Sequence, residues 1–339
     1  MSVPTVQDLG EVGLLAHLKQ YCPPEAIGDD GALLLLAAGK SAVVSTDLLV
    51  DGVHFSDRTT TPFDVGWRAT AANLSDLAAM GAEPIGITIA LGLPGATPLD
   101  WLDGFYQGVV ACLKTFGGVI LGGDLCRSST LTVSITALGQ LFAVKALRRG
   151  AAQPGYAIVV TGGHGASRAG LELLLNPAIA SRLNPTDKAA LIEKHQRPRP
   201  RFDVLPTLED CWRRQPANQG IAAMDSSDGL ANAIVQLCQA NGTGAILKRS
   251  QLPSPPCFGG WLDAKQAIDW TLYGGEDFEL VLAMPPEMAE AFVATLGPPV
   301  CIVGQMVDDR AVQLIDDVEA TGTIELSLDQ AFQHFSKVE

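Results

Sequence analysis

Apolar residues recur at helical spacing near the start of the chain. Val6, Leu9, Leu14, Leu15 and Leu18 predict a short helix over 6–20. Apolar runs at 32–38 and 42–45 read as two strands joined near Gly39-Lys40, the second leading into Thr46-Asp47-Leu48-Leu49-Val50-Asp51-Gly52-Val53-His54-Phe55. Thr61-Pro62-Phe63-Asp64 combines a capping hydroxyl, a first-turn proline and an early acid, so it opens a helix that runs to about Met80 and stops at Gly81. Residues 84–93 alternate through Ile85, Ile87 and Ile89 as a strand. Thr97-Pro98-Leu99-Asp100 repeats the helix start, with an amphipathic helix from Trp101 to about Phe116. A short strand at 118–121 ends in Gly122-Gly123-Asp124, and a strand at 131–141 sets Thr132, Ser134 and Thr136 on one face. Strands and helices therefore alternate, an α/β pattern.

A polar Gly/Pro segment at 148–155 marks a domain boundary, giving an N-terminal α/β domain over 1–148 and a C-terminal α/β domain over 149–339. Beyond it, a strand at 156–161 enters Gly162-Gly163-His164-Gly165. Residues 176–206, with five prolines, read as a helix followed by an irregular connection. A strand at 221–224 leads into Asp225-Ser226-Ser227-Asp228-Gly229 and a helix ended by Asn241-Gly242. Leu272-Tyr273-Gly274-Gly275-Glu276-Asp277 precedes a strand at 278–283, a helix follows Pro285-Pro286, and a strand follows at 300–303.

The 339 residues have room for two domains, and 47% hydrophobic with 18% charged residues marks a folded chain. A net charge of −14 argues against nucleic acid and anionic membrane surfaces as partners. Anionic substrates then require bound cations. Seven cysteines without C-x-x-C or zinc spacing predict reduced thiols. Asp8 and Glu11 occupy the region where a signal peptide would be basic and then apolar, and no apolar run reaches about 18 residues. The expected location is cytoplasmic.

Carboxylates gather at Asp29-Asp30, Asp47, Asp76, Asp124, Asp225, Asp228 and Glu276-Asp277, most of them after an apolar run or beside glycine. We read these as turns at the carboxyl ends of strands, where open α/β sheets place functional groups. If they converge, they need cations, because two like charges ~4 Å apart repel by ~4 kcal/mol at an effective dielectric near 20. Oxygen donors without a Cys or His cluster select Mg²⁺, with Mn²⁺ or Ca²⁺ as the alternatives. Asp76 is the odd member, alone among Leu74, Leu77, Ala78 and Ala79; a metal ligand and a helix-surface or loop-capping carboxylate are equally open for it. Ala38-Gly39-Lys40-Ser41 lacks the upstream glycine of a P-loop, since Leu34 stands there, and Gly163-His164-Gly165 fails the dinucleotide pattern. No protein-kinase motif set is present.

Seven segments together resemble the thiamine-monophosphate kinases, within a superfamily that includes aminoimidazole ribonucleotide synthetase, selenophosphate synthetase and a hydrogenase-maturation protein. They are GDDGALL at 28–34, STDLLVDGVHF at 45–55, NLSDLAAMGA at 73–82, GGDL at 122–125, DSSDGL at 225–230, GGEDFEL at 274–280 and AFQHF at 331–335. The resemblance implies a two-domain aminoimidazole ribonucleotide synthetase-like α/β (α+β) fold, and a homodimer whose N-terminal strands pair across the interface. It also implies transfer of the ATP γ-phosphoryl group to thiamine monophosphate by direct in-line, Mg²⁺-assisted chemistry. Carried over residue by residue, it makes Asp29, Ser45, Thr46, Asp47, Asp76, Asp124, Asp225 and Asp228 ligands of several Mg²⁺ ions, with Asp76, Asp228 and Asp47 central to catalysis. It gives Tyr106, Gly123, Asp124, Arg149 and Ser227 to ATP, and His54, Glu276 and Phe332 to thiamine monophosphate. Tyr106 is equally readable as a core residue, and Arg148 could replace Arg149 by a one-residue slip. The segment Gly162–Ala166 departs from the family's compact glycine turn, and Tyr156 stands where the family usually has Asp. A selenophosphate synthetase would want a reactive Cys near the first glycine loop, a hydrogenase-maturation protein a terminal Cys. A non-catalytic nucleotide-binding protein would be expected to lose ligands that this chain keeps.

Overall fold

The computed structural model describes residues 4–23, 34, 36–141, 146–216, 219–318 and 322–330. Asp29, Asp30 and Phe332 lie outside the described residues. The chain forms two compact units, Met1–Leu77 with Gly81–Lys145 and Gln196–Pro200, and Ala78–Met80 with Ala146–His195 and Arg201–Glu339.

The first unit opens with helix α1 (Val6–Leu18), whose start is fixed by a capping box between Thr5 and Asp8. The apolar run at 32–38 is not strand at any described position: 36–39 are exposed, and Lys40 N–H closes a turn onto Ala37 O. Four strands follow, β1 (Ala42–Val50), β2 (Ala82–Leu93), β3 (Val119–Arg127) and β4 (Thr132–Leu141), in the order β1-β4-β2-β3. β2 and β3 are parallel, and the other pairs are antiparallel.

Helix α2 (Pro62–Ala79) begins as its sequence predicts. The Thr61 hydroxyl donates to Asp64 Oδ2 at 2.6 Å and accepts the Asp64 N–H at 3.3 Å. Helix α3 (Leu99–Phe116) does not repeat that start. The Thr97 carbonyl accepts the Val6 N–H, and Pro98, with an extended backbone, takes the cap position, so no side chain caps the helix. α2 and α3 touch backbone to backbone. A Cβ on Gly66 would lie 2.0 Å from Phe105 O, and one on Gly108 would lie 1.9 Å from Phe63 O. These two glycines set how deeply α2 seats, and with it Asp76.

The second unit is built on a seven-stranded sheet of β5 (Ala157–Val160), β6 (Ala222–Asp225), β7 (Gly244–Lys248), β8 (Leu280–Met284), β9 (Cys301–Val307), β10 (Val312–Ile315) and β11 (Thr323–Glu325), in the order β11-β10-β7-β9-β5-β8-β6. β5, β6 and β8 are buried at every position, which is why they read as continuous apolar runs. Segment 176–206 carries helix α5 (Pro185–Gln196) between short 3₁₀ turns, and helix α6 (Leu205–Arg213) follows. Helix α4 (Ala166–Leu175) follows β5, and helix α7 (Leu230–Asn241) ends at Gly242 in the left-handed region, φ 66°. Sequence patterning missed β7, β10 and β11, which are short, and helix α8 (Ala264–Tyr273), whose cap is Asp263.

Candidate active site

In the first unit, Asp47 and Asp124 are not in turns. Asp47 lies within β1 and Asp124 within β3. β1 continues because Leu48, Leu49 and Val50 keep pairing with β4, down to Val50 opposite Thr132. β3 runs through Gly122-Gly123 because that close approach to β2 needs glycine: a Cβ on Gly123 would meet Ile89 O at 2.1 Å. Asp76 is in the last turns of α2, also not in a turn.

The sheet register sorts the candidates by face. Thr46, Thr136 and Thr88 form one cross-strand row, and Leu48, Ser134, Ala90 and Asp124 the next, on the same face. Ser45 and Asp47 occupy the opposite face, in rows with Ile87 and Ile89. On that side the Ser45 hydroxyl donates to Asp76 Oδ2. One turn earlier on α2, buried Asn73 accepts the Asp47 N–H on Oδ1 at 3.0 Å and donates to Ala69 O at 2.9 Å. β1 is an edge strand, so its outward N–H needs such a partner. Sequence reasoning missed Asn73, which it named only as the first residue of the segment at 73–82. Thr46 is held by its own sheet, donating to Ile135 O at 2.9 Å and accepting from the Thr136 hydroxyl at 3.2 Å.

Tyr106 is buried, stacked on Tyr21 at 5.2 Å between centroids and edge-on to Phe105. Burial raises its phenol pKa well above the usual range. Half-buried His54 closes a turn after β1, where Nδ1 accepts the Val50 N–H at 3.0 Å, so its proton sits on Nε2 when neutral.

In the second unit, three loops interlock: 162–165 after β5, 226–229 after β6, which ends at Asp225, and 274–279 before β8. Buried Asp225 accepts the Ser227 hydroxyl at 3.1 Å, and Asp228 is exposed. Glu276 donates its N–H to Ser227 O at 2.6 Å, and its carboxylate lies 3.7 Å from His195 Nδ1. Glu276 and Phe278 both have left-handed backbones, φ 57° and 52°, so non-glycine residues carry strain on both sides of Asp277. Asp277 accepts the Gly165 and Ser167 N–H groups at the start of α4, at 2.7 and 2.9 Å. Burial pushes its carboxyl up to about 7 against those two bonds. Arg149 reaches Gln236 of α7 at 2.6 Å, while Arg148 is tied to β6 through its backbone. Sequence reasoning missed Ser226, Glu279, Arg201 and His164, which brace these loops from beneath; only the compact pattern of polar residues among glycines hinted at them.

The residues supply oxygen donors suited to a hard cation. Among the described residues no three His, Cys, Asp or Glu side chains form a metal-holding group. Mg²⁺ takes one or two protein carboxylates and completes its shell with phosphate oxygens and water. The carboxylate of Asp76, oriented by Ser45, is a donor of that kind.

Residues 28–141 match the AIR synthase related protein N-terminal domain and residues 153–317 the C-terminal domain of the same family. A thiamine-monophosphate kinase of Synechococcus elongatus is 48% identical over 341 residues, covering 99% of each chain. The chain belongs to the thiamine-monophosphate kinase family. Among solved structures, the thiamine-monophosphate kinase of Stenotrophomonas maltophilia superposes with a TM-score of 0.74 at 34% identity, over 87% of this chain and 90% of that one. A structure described as AaThiL complexed with AMPPCP and TMP superposes with a TM-score of 0.71 at 29% identity, over 96% and 99% of the two chains. Membership of the family carries its two-domain α/β fold. Among the described residues no helix is long and apolar enough to cross a membrane, and the seven cysteines form no disulfide.

Proposed function

We infer that this protein is an ATP-dependent kinase that phosphorylates thiamine monophosphate to thiamine diphosphate. The observation that carries the reading is 48% identity over nearly the whole chain to a thiamine-monophosphate kinase. The AaThiL complex with AMPPCP and TMP supports both co-substrates. A terminal phosphate oxygen of thiamine monophosphate attacks the γ-phosphorus of ATP, the bond to the β–γ bridging oxygen breaks, and ADP leaves. The acceptor oxygen is already anionic, so no strong general base is required. The barrier lies in positioning and in repulsion between two phosphate groups. Bound Mg²⁺ supplies the charge neutralisation.

Ser45, Thr46, Asp47, Asp76 and Asp124 of the first unit are assigned to Mg²⁺, with Asp29 from the segment outside the described residues. Asp225 and Asp228 of the second unit have the same assignment. Ser45 orients Asp76, and Asn73 fixes the Asp47 backbone, which supports those two donors. Gly123, Asp124, Arg149 and Ser227 serve ATP. Tyr106 contacts the nucleotide only if its ring leaves the Tyr21 stack, so it is the weakest member of that set. His54, Glu276 and Phe332 serve thiamine monophosphate; the strained backbone at Glu276 supports its part. The domain division is proposed at 148/149, with residues 1–148 as the N-terminal α/β domain and residues 149–339 as the C-terminal α/β domain. The homodimer is supported by the face of the first unit's sheet on which Val44 and Leu48 are 61% and 55% exposed. Work in the cytoplasm suits seven unpaired thiols.

An acceptor panel tests the assignment. With ATP and Mg²⁺, thiamine monophosphate should give product, while thiamine, selenide and an amide acceptor should not. ADP formation with one of those others instead would overturn it.

A further inference from the structure

His164 makes two hydrogen bonds at zero exposure, and together they fix its chemistry. Nδ1 lies 3.0 Å from Gly162 O, and Nε2 lies 3.0 Å from Ser226 Oγ. A carbonyl can only accept, so Nδ1 carries the proton. The neutral ring then presents a bare Nε2, which accepts the Ser226 hydroxyl proton. The same Ser226 oxygen accepts the Glu279 N–H at 3.2 Å, and the Ser226 N–H donates to Glu279 O at 2.9 Å. The Ser226 carbonyl accepts the Gly229 N–H at 3.0 Å. Ser226 is thus pinned through its amide, hydroxyl and carbonyl, with Asp225 on one side and Ser227 and Asp228 on the other. Gly162 is required beneath it, because a Cβ there would meet the Glu279 carboxylate at 2.3 Å. Ser226 is 1% exposed, so the Ser–His pair has no access to a substrate and serves no nucleophile.

Resting on the kinase reading above, we propose that His164 is a positioning residue for the Asp225–Asp228 loop: by accepting the Ser226 hydroxyl through Nε2, it holds Asp225, Ser227 and Asp228 in the arrangement that binds Mg²⁺-ATP. The two hydrogen bonds separate by substitution. In His164→Gln, the amide oxygen reaches the Nε2 position and still accepts from Ser226. In His164→Asn, the shorter amide restores only the bond to Gly162. Losing one buried hydrogen bond corresponds to about ten-fold in binding. His164→Asn should therefore weaken binding of a non-hydrolysable ATP analogue with Mg²⁺ about ten-fold by calorimetry. It should also speed hydrogen exchange of the 225–230 amides in the ligand-free protein. His164→Gln should match wild type within about two-fold in both readouts, although the two variants lose comparable stability.

Equal nucleotide affinity and equal exchange in the two variants would overturn the inference, as would a loss in His164→Gln alone. Both readouts are independent of the acceptor. A wild-type protein that binds the nucleotide but makes no thiamine diphosphate therefore counts against the kinase reading and leaves this comparison decisive.

Discussion

Replacing Glu279 should destabilise the second unit by an amount its surroundings define. Glu279 is 4% exposed, and its carboxylate accepts from Thr161 Oγ1 at 2.7 Å and from Arg201 Nη1 at 2.5 Å. Arg201 also donates to Thr161 O and forms a two-pronged pair with Asp203, both distances 2.9 Å. Burial works against the guanidinium, but Asp203 and Glu279 prevail and hold it charged, above its ordinary value. Breaking a buried pair costs about 3–5 kcal/mol, because the remaining charge stays buried. Asp203 keeps one edge of Arg201 satisfied, which places Glu279→Ala near the lower bound, about 3 kcal/mol. At about 2–4 °C per kcal/mol for a unit of this size, the melting transition should fall by about 6–12 °C. Glu279→Gln retains an acceptor for Thr161 and should lose less. Removing both charges in Arg201→Met/Glu279→Met should cost clearly less than the two single changes summed. Scanning calorimetry of wild type, Glu279→Ala, Glu279→Gln, Arg201→Met, Glu279→Met and the double variant is the assay. A Glu279→Ala transition within about 2 °C of wild type, or strict additivity in the double variant, would refute the buried-pair argument.

Three further outcomes follow from the same geometry. Asp76→Asn keeps the size of the side chain and its contact with Ser45, so far-ultraviolet dichroism and melting should be unchanged while turnover falls roughly 10²-fold or more; near-normal turnover at saturating Mg²⁺ would reject the shared-metal role. Asn73→Ala leaves the Asp47 N–H without its acceptor and should cost about 1–3 kcal/mol in urea denaturation, with a raised Mg²⁺ requirement; a stable variant with ordinary Mg²⁺ dependence counts against it. Burial lowers the His164 pKa to about 4, so below its ordinary 6.5 the unfolded chain takes up a proton that the native state refuses. Its contribution is complete above pH 6.5 and is lost as pH falls toward 4, by about 3 kcal/mol in total. Wild type should show that acid-side loss and His164→Gln should not; parallel stability–pH curves would contradict it.

Much of this fold was legible where a local pattern and its tertiary setting agree. The Thr61–Asp64 cap, the alternation of β4 and the Gly242 stop of α7 all follow from short-range chemistry. Errors arose where a pairing partner overrode a local signal. Glycines at 122–123 look like a terminator, yet they continue β3 because Ile89 O comes too close for a side chain. Asp47 looks like a turn residue, yet the edge strand carries it because Asn73 answers its amide. Thr97 looks like a cap, yet its backbone pairs with Val6. The acidic members of the candidate site stand out among glycines and apolar runs. The residues beneath them do not, because Ser226, His164, Glu279 and Arg201 come from segments more than a hundred residues apart in the extreme case, Glu279 and Thr161 being separated by 118. Only the folded sheet brings them together.

The reaction is a phosphoryl transfer, and labelled phosphate follows it directly. The purified protein should be incubated with Mg²⁺, thiamine monophosphate and ATP carrying a radioactive γ-phosphate, and the products separated by chromatography. The label should appear in thiamine diphosphate in one-to-one proportion with ADP, and only when thiamine monophosphate is present. Label released as inorganic phosphate, or carried by any other acceptor while thiamine monophosphate remains unchanged, would contradict the account.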